Sequence, residues 1–355
     1  MLSFQRKHVL NLEENSVHML HITNGESAAN GIQHTGIPGA VLAWVDVLHE
    51  GPTPASLSLE QMSQVRARFI ASFYALPFEE IIRDFIDRDT ALARFRDHDE
   101  VVLWFEHDVY DQLQLMQLLD WFAHQELGKT KLSLICIDSY PGVDRFYGLG
   151  QLTPGQLASL FDMRQEVTQA QLKLGRDAWS AHCSPIPLAI EGLREMNTSA
   201  LPFLEHALLR YVEEFPATAN GLSRTEQHIL EIVVSGVHKP AEMFRALSEK
   251  EENPFMGDTT LWVHVAQLCQ GFRPLLKRIG SEPFSLPERG ENHEAFLAQE
   301  VILTKDGAAV LGSYEDWIKL CGGIDRWLGG VHLQGTDAAW RWDRQRNILV
   351  QPDGC

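Results

Sequence analysis

Glu106, His107, Asp108, Tyr110, Asp111 and Gln112 crowd into one junction directly after the apolar run Val101 to Phe105. An imidazole among carboxylates at this density suits two kinds of chemistry. His107, Asp108 and Asp111 could hold a hard or borderline divalent metal, or a carboxylate could orient His107 as a general base. His107 and Asp111 stand four apart and share a face if the following helix begins that early. A purely structural account competes with both: Asp108 caps the helix and Asp111 favours its positive end. That account explains the acids, but less well a His and a Glu in the same junction. Glu106, His107, Asp108 and Asp111 are therefore candidate catalytic residues, with Tyr110 and Gln112 as candidate ligand contacts.

Three further segments repeat the design of an apolar run ending in polar groups. His21-Ile22-Thr23 leads into Asn24-Gly25-Glu26-Ser27. A glycine there lets the backbone approach a ligand, and free amides at a helix start attract anions, which makes Asn24, Gly25 and Ser27 binding candidates. The string is neither a GxGxxG fingerprint nor a P-loop, and Glu26 works against a phosphate. Val41-Leu42-Ala43-Trp44 leads into Asp46, a binding candidate, and then His49 and Glu50, catalytic candidates, before Gly51-Pro52. Leu132 to Ile137 leads into Asp138-Ser139-Tyr140-Pro141-Gly142 and on to Asp144 and Arg145. Asp138, Tyr140 and Arg145 are binding candidates there; Arg145 could fork onto a carboxylate or phosphate, or pair with a neighbouring acid. Each string alone reads equally as a cap, a surface loop or an ion pair. No GxSxG elbow, HExxH or Ser–His–Asp order is present. Cys136, inside an apolar strand, reads as core.

The elements that must position these groups are legible as strands alternating with helices. Strands are expected at 18–24, 40–47, 101–105 and 132–137, with Ser27 opening the first helix. Ser58 with Gln61 forms a capping box ahead of Met62, Val65, Phe69 and Phe73 at helical spacing. Further helices are expected at about 78–96 and 109–126. This order argues for a parallel sheet with right-handed crossovers, whose ligand sites lie beyond the carboxyl ends of the strands. The four polar junctions then converge on one crevice. The chain beyond reads helical, with Thr153 capping a helix that starts at Pro154 and others at 167–182, 186–196 and 200–215. Asn220-Gly221-Leu222-Ser223 marks a boundary. Helices from Ser223 to about 235, at 240–249 and at 258–271 precede Val301 to Leu311, a strand turning into a short helix. Two short strands, Trp327 to Leu333 and Trp340 to Asp343, are expected around a glycine turn, with Trp317, Trp327, Trp340 and Trp342 packing a small core. The expected fold is α/β: a leader over 1–17, a Rossmann-like parallel-sheet domain over 18–150, a helical segment over 151–219 and a winged-helix-like α+β domain over 220–355.

The composition narrows the function classes. The chain has 355 residues, 45% hydrophobic and 22% charged, which fits a globular protein of two or three domains. The net charge is −18: 16 Lys and Arg against 29 Asp and Glu up to residue 219, and 14 against 19 beyond it. Neither part has the basic excess that neutralises a phosphate backbone, so nucleic acid is a disfavoured partner and a small molecule the favoured one. The third C-terminal helix, Asp258 to Gly271, has no Lys or Arg, so it suits packing or dimerisation better than DNA reading. The five cysteines are scattered and form no CxxC pair, which predicts a reducing cytoplasm. No run approaches a membrane span and the N-terminus lacks a signal-peptide core, so a membrane role is not expected. Nothing names a cofactor beyond the option of a divalent metal, and a homo-oligomer is left open.

The strings His21 to Ser27 and Trp44 to Pro52 resemble a bacterial family, domain of unknown function 1835. Leu103 to Leu113 is similar to that family's most recognisable segment, and the similarity continues through Pro141-Gly142-Val143 and Gly148 to Leu152. Gly221 to Glu226 and Pro254 to Asp258 resemble its companion C-terminal domain, number 3658. The resemblance covers most of residues 18–345. The family shows Asp where this chain has Glu26, so either acid length suits that position. The resemblance implies motif positions and carries no mechanism. The expectation is an enzyme, a hydrolase or transferase, using acid/base or metal-assisted chemistry on a small polar molecule, phosphorylated or nucleotide-like in one version. The competing expectation is a ligand-sensing regulator whose winged helix binds DNA or a protein.

Overall fold

In the computed structural model, residues 18–287, 293–337 and 340–351 are described, and they form two compact units divided between Leu208 and Leu209. The expected leader over 1–17 lies outside the described residues. The fold is mixed α/β, built on one five-stranded, mostly parallel sheet.

The N-terminal unit opens with β1 (Met19–Thr23), α1 (Glu26–Gln33) and β2 (Ala40–Ala43). The helices α2 (Leu59–Phe73) and α3 (Phe78–Ala93) follow, then β3 (Glu100–Glu106), α4 (Val109–Ala123) and β4 (Lys131–Ile137). After β4 come α5 (Pro154–Phe161), β5 (Gln165–Glu166), α6 (Gln169–His182) and α7 (Leu188–Arg194). The strand order is β2-β1-β3-β4-β5, with the first four parallel and β5 antiparallel at the edge. Because β1 to β4 are parallel, all four polar junctions leave from the same edge of the sheet.

β3 is buried along its whole length, as a central strand covered on both faces must be. Its side chains alternate between faces. Val102 and Trp104 join a cluster with Ala28 and Ile32 of α1 and Leu157 and Leu160 of α5, while Val101, Leu103 and Phe105 are just as buried. Trp104 Nε1 donates to His21 Nδ1 at 3.1 Å, which leaves His21 Nε2 as the donor to the Pro38 carbonyl at 3.2 Å. That assignment makes His21 a neutral core histidine, and burial lowers its pKa.

α4 is buried on nearly every side, with eleven buried residues, and packs against α6. Gly175 makes that approach close: a Cβ there would run into Leu119 Cβ. Gly175→Ala should therefore lower stability by about 1–2 kcal/mol, the overpacking cost outweighing Ala's intrinsic helix preference of about 1 kcal/mol. Gly192→Ala in α7, where nothing lies within 4 Å of the added methyl, should be neutral or stabilising. Urea unfolding of both variants checks the contrast, and equal midpoints would refute it.

Caps form largely where their residues suggest. Ser58, Thr153 and Ser223 each complete a capping box, and Asp108 accepts from Asp111 N at 3.0 Å. Ser27 is a correction. The first helix starts at Glu26 with Gly25 as N-cap and no side-chain cap, while Ser27 Oγ donates to the Gly150 carbonyl at 3.3 Å.

After α8 (Leu204–Val212), the C-terminal unit contains α9 (Arg224–Val234), α10 (Pro240–Lys250) and α11 (Asp258–Leu268). An antiparallel pair of Leu276–Arg278 with Val301–Leu303 comes next, and a helix over Lys305–Leu311 follows it. The glycine turn at Gly329-Gly330 joins Ile324–Gly329 to Val331–Gly335, with Trp327 stacked on its cross-strand partner His332 at 4.3 Å. This corrects the expected pairing: Arg341–Asp343 pairs with Ile348–Val350, not with the strand before it. Trp340 and Trp342 are buried as expected, whereas Trp317 and Trp327 are only partly so. Arg210 anchors this unit, bonded to Glu214 at 2.7 Å and to Glu251 at 2.7 and 2.9 Å. Among the described residues, no helix is long and apolar enough to cross a membrane.

Candidate functional site

Where β1 and β3 end, Asn24 and Glu106 come together. Asn24 Nδ2 donates to Glu106 Oε1 at 3.1 Å and to Asp111 Oδ2 at 2.8 Å. Asp111 Oδ1 accepts from the Glu106 backbone N–H at 2.8 Å, closing the junction on itself. Asp108 is the N-cap of α4, so one turn of chain folds three carboxylates into a single spot. An oxygen from each of Glu106, Asp108 and Asp111 lies within 4.8 Å of the others, a donor set that fits a hard divalent cation.

Three carboxylates this close and this buried cannot all carry charge without a cation. Burial first, and then the charge of Asp108, raise the Glu106 pKa to about 8. Burial raises Asp108 to about 7, and burial followed by the charge of Glu106 pushes Asp111 well above the carboxylate range. Asn24 and the Leu149 N–H pull the other way on Glu106, each donating to its carboxylate.

An open cleft of about 230 Å³ lies against this junction. Asn24, Gly25, Ser27 and Ala28 from the start of α1 line it, with Glu106 and the loop residues Tyr147, Gly148, Gly150 and Gln151. Gly148 is at φ +138°, and a Cβ on it would collide with the Glu106 carboxylate, so only glycine lets the loop close over that acid. Gly150 likewise leaves room for Ser27.

The first and third junctions thus meet, but not every candidate joins them. His107 precedes the N-cap, so it lies outside α4 and does not share a helical face with Asp111. Its ring sits among Phe146 and Phe203, each 6.1 Å away, and it is not part of the three-acid group. Tyr110 donates to the Asn24 carbonyl at 3.2 Å, and Gln112 Nε2 donates to the Glu106 carbonyl at 2.5 Å, so both brace the junction from behind. Burial raises the Tyr110 pKa. His49 is buried with its ring edge-on to Tyr110 at 6.0 Å.

The second junction is organised by Arg66, a residue that sequence reasoning left inside a helix. Its guanidinium is fully buried, paired with Asp46 at 2.8 Å, and donates to the carbonyls of Val47 at 3.0 Å and Glu50 at 2.7 Å. A cation four residues after Met62 on the buried face of α2 was the available signal. The fourth junction stays at the surface. Asp138 is exposed and accepts from Ser139 Oγ at 2.8 Å, Tyr140 shares a hydrogen bond with Ser159 at 2.9 Å, and Arg145 lies over the Tyr147 ring at 5.2 Å. The loop Tyr147 to Gln151 also escaped notice as a cleft wall, although two glycines beside an aromatic were there to suggest it.

Compared with protein-family models and with curated proteins, the chain matches none.

Proposed function

We propose that the N-terminal unit is a Rossmann-like enzyme domain that performs acid/base or metal-assisted hydrolysis or group transfer on a small polar molecule. The observation that carries this reading is the placement of Glu106: its side chain is 3% exposed, yet it forms part of the cleft wall and is oriented by Asn24 and the Leu149 N–H. A carboxyl group held in one orientation at the floor of a cleft is suited to giving and taking a proton. The raised pKa supports that role, because it puts the exchange near neutral pH. With a divalent cation bound, Glu106, Asp108 and Asp111 would be its ligands, and the cation would polarise the bound molecule.

A DNA-binding regulator is the weaker reading. α11 has no cation, and eight of its eleven residues are buried. A helix so enclosed offers few side chains to a groove.

The test is a thermal-shift screen of small polar metabolites, with and without Mg²⁺ or Mn²⁺, on wild type and Glu106→Gln. Gln keeps an oxygen for Asn24 and Leu149 while removing the titrating group. Ligand-induced shifts that wild type shows and the variant loses support the reading; identical responses in the two proteins overturn it.

A further inference from the structure

Resting on that enzyme reading, we infer that the cleft takes a neutral ligand with a flat ring and hydroxyl groups, of the nucleoside class, and that Tyr147 is the wall on which the ring stacks. Tyr147 lines the cleft and is 46% exposed, a large aromatic surface left open beside buried acids. Its position is fixed on both sides. The Tyr147 N–H donates to Gln151 Oε1 at 2.8 Å, and Gln151 Nε2 donates to the Arg145 carbonyl at 3.1 Å. These bonds hold the backbone, and Arg145 lies over the ring, with its guanidinium carbon 5.2 Å from the centroid, which restrains the side chain before a ligand arrives. An aromatic already immobilised adds stacking without the cost of ordering it.

Charge and size narrow the class. Glu26 stands in the first turn of α1, where a carboxylate disfavours a phosphate at the helix start, and Glu106 lines the cleft. The same carboxyl group suits the hydroxyls of a sugar, which it can accept from. A volume of about 230 Å³ falls below the range of roughly 300–1,000 Å³ common for drug-sized ligands, which suits a single nucleoside better than a dinucleotide.

The experiment compares adenosine, adenosine 5′-monophosphate and ribose by calorimetric titration of the full chain, wild type, Tyr147→Ala and Tyr147→Phe. Adenosine should bind wild type more tightly than either of the others. Tyr147→Ala should weaken adenosine by roughly ten- to a hundred-fold while leaving ribose unchanged, and Tyr147→Phe should bind like wild type. Tighter binding of the monophosphate overturns the neutral class. Equal affinity for ribose and adenosine, an unaffected Tyr147→Ala or no adenosine binding overturns the stacking role. Any of these results leaves the Glu106 reading to its own screen, which does not depend on Tyr147.

Discussion

Arg66→Met should destabilise the N-terminal unit by about 3–5 kcal/mol, the scale of breaking a buried ion pair by removing one partner. The reason is what Arg66 leaves behind. Asp46 is 1% exposed and receives three contacts from the guanidinium, at 2.8, 3.0 and 3.2 Å. The carbonyls of Val47, Glu50 and Pro52 lose a donor as well. Methionine fills most of the volume, so the loss is electrostatic and not a cavity. Pairing the change with Asp46→Asn should restore part of the stability, because the uncompensated carboxylate is then gone. Urea unfolding of the single and double variants checks this. If Arg66→Met unfolds at the wild-type midpoint, Asp46 and Arg66 do not hold the segment from 46 to 52 in place.

The same pair shows how far the sequence could be read. Alternating apolar runs and helical patterns were enough for four parallel strands, because a buried strand and an amphipathic helix differ in period. Capping boxes at Ser58, Thr153 and Ser223 marked their helix starts for a local chemical reason, and local rules transfer. The common sheet edge of the four junctions followed from parallel topology. What did not follow was which side chains turn into the cleft. Asp46 was spoken for by Arg66, 20 residues away, and His107 by its place before the cap. The strand β5 was missed because two exposed residues carry no apolar signal. The Leu149 amide reaches Glu106 across 43 residues, a contact that no spacing rule encodes. Strand pairing at the C-terminus failed for a similar reason: Trp340 to Asp343 found its partner further along the chain, in Ile348–Val350, an apolar strand of only three residues.

Raising the pH from 7 to 9 should destabilise the metal-free N-terminal unit, and Glu106→Gln should remove part of that slope. The sign follows from where protons bind. Glu106 and Asp108 have folded-state values of about 8 and about 7, above the ordinary 4.5 and 3.8 that they regain on unfolding. The folded state therefore holds protons that the unfolded state has released. Their contribution is fully present below about pH 4 and is lost as pH rises through about 7 to 8. The buried pair in the C-terminal unit works in the opposite direction. Arg210 holds Glu214 below its usual range, and Glu251, with His228 and Arg210 as partners, falls to about 2. Burial alone would raise both. Their contribution is present above pH 4.5 and is lost only in acid. The buried histidines His21 and His182, whose pKa burial lowers, add stability as pH rises through about 6.5. The cluster is therefore read between 7 and 9 as the difference between wild type and Glu106→Gln. Melting temperature measured across that range, in chelator, should fall by several degrees for wild type and by less for Glu106→Gln, which still carries the buried Asp108 and Asp111. Added Mn²⁺ should reverse the fall at pH 9 if the three carboxylates ligate it, because the cation replaces the protons they lose. Parallel curves for wild type and Glu106→Gln in chelator would mean that Glu106 is charged and compensated in the folded protein, and its acid/base role would fall with it.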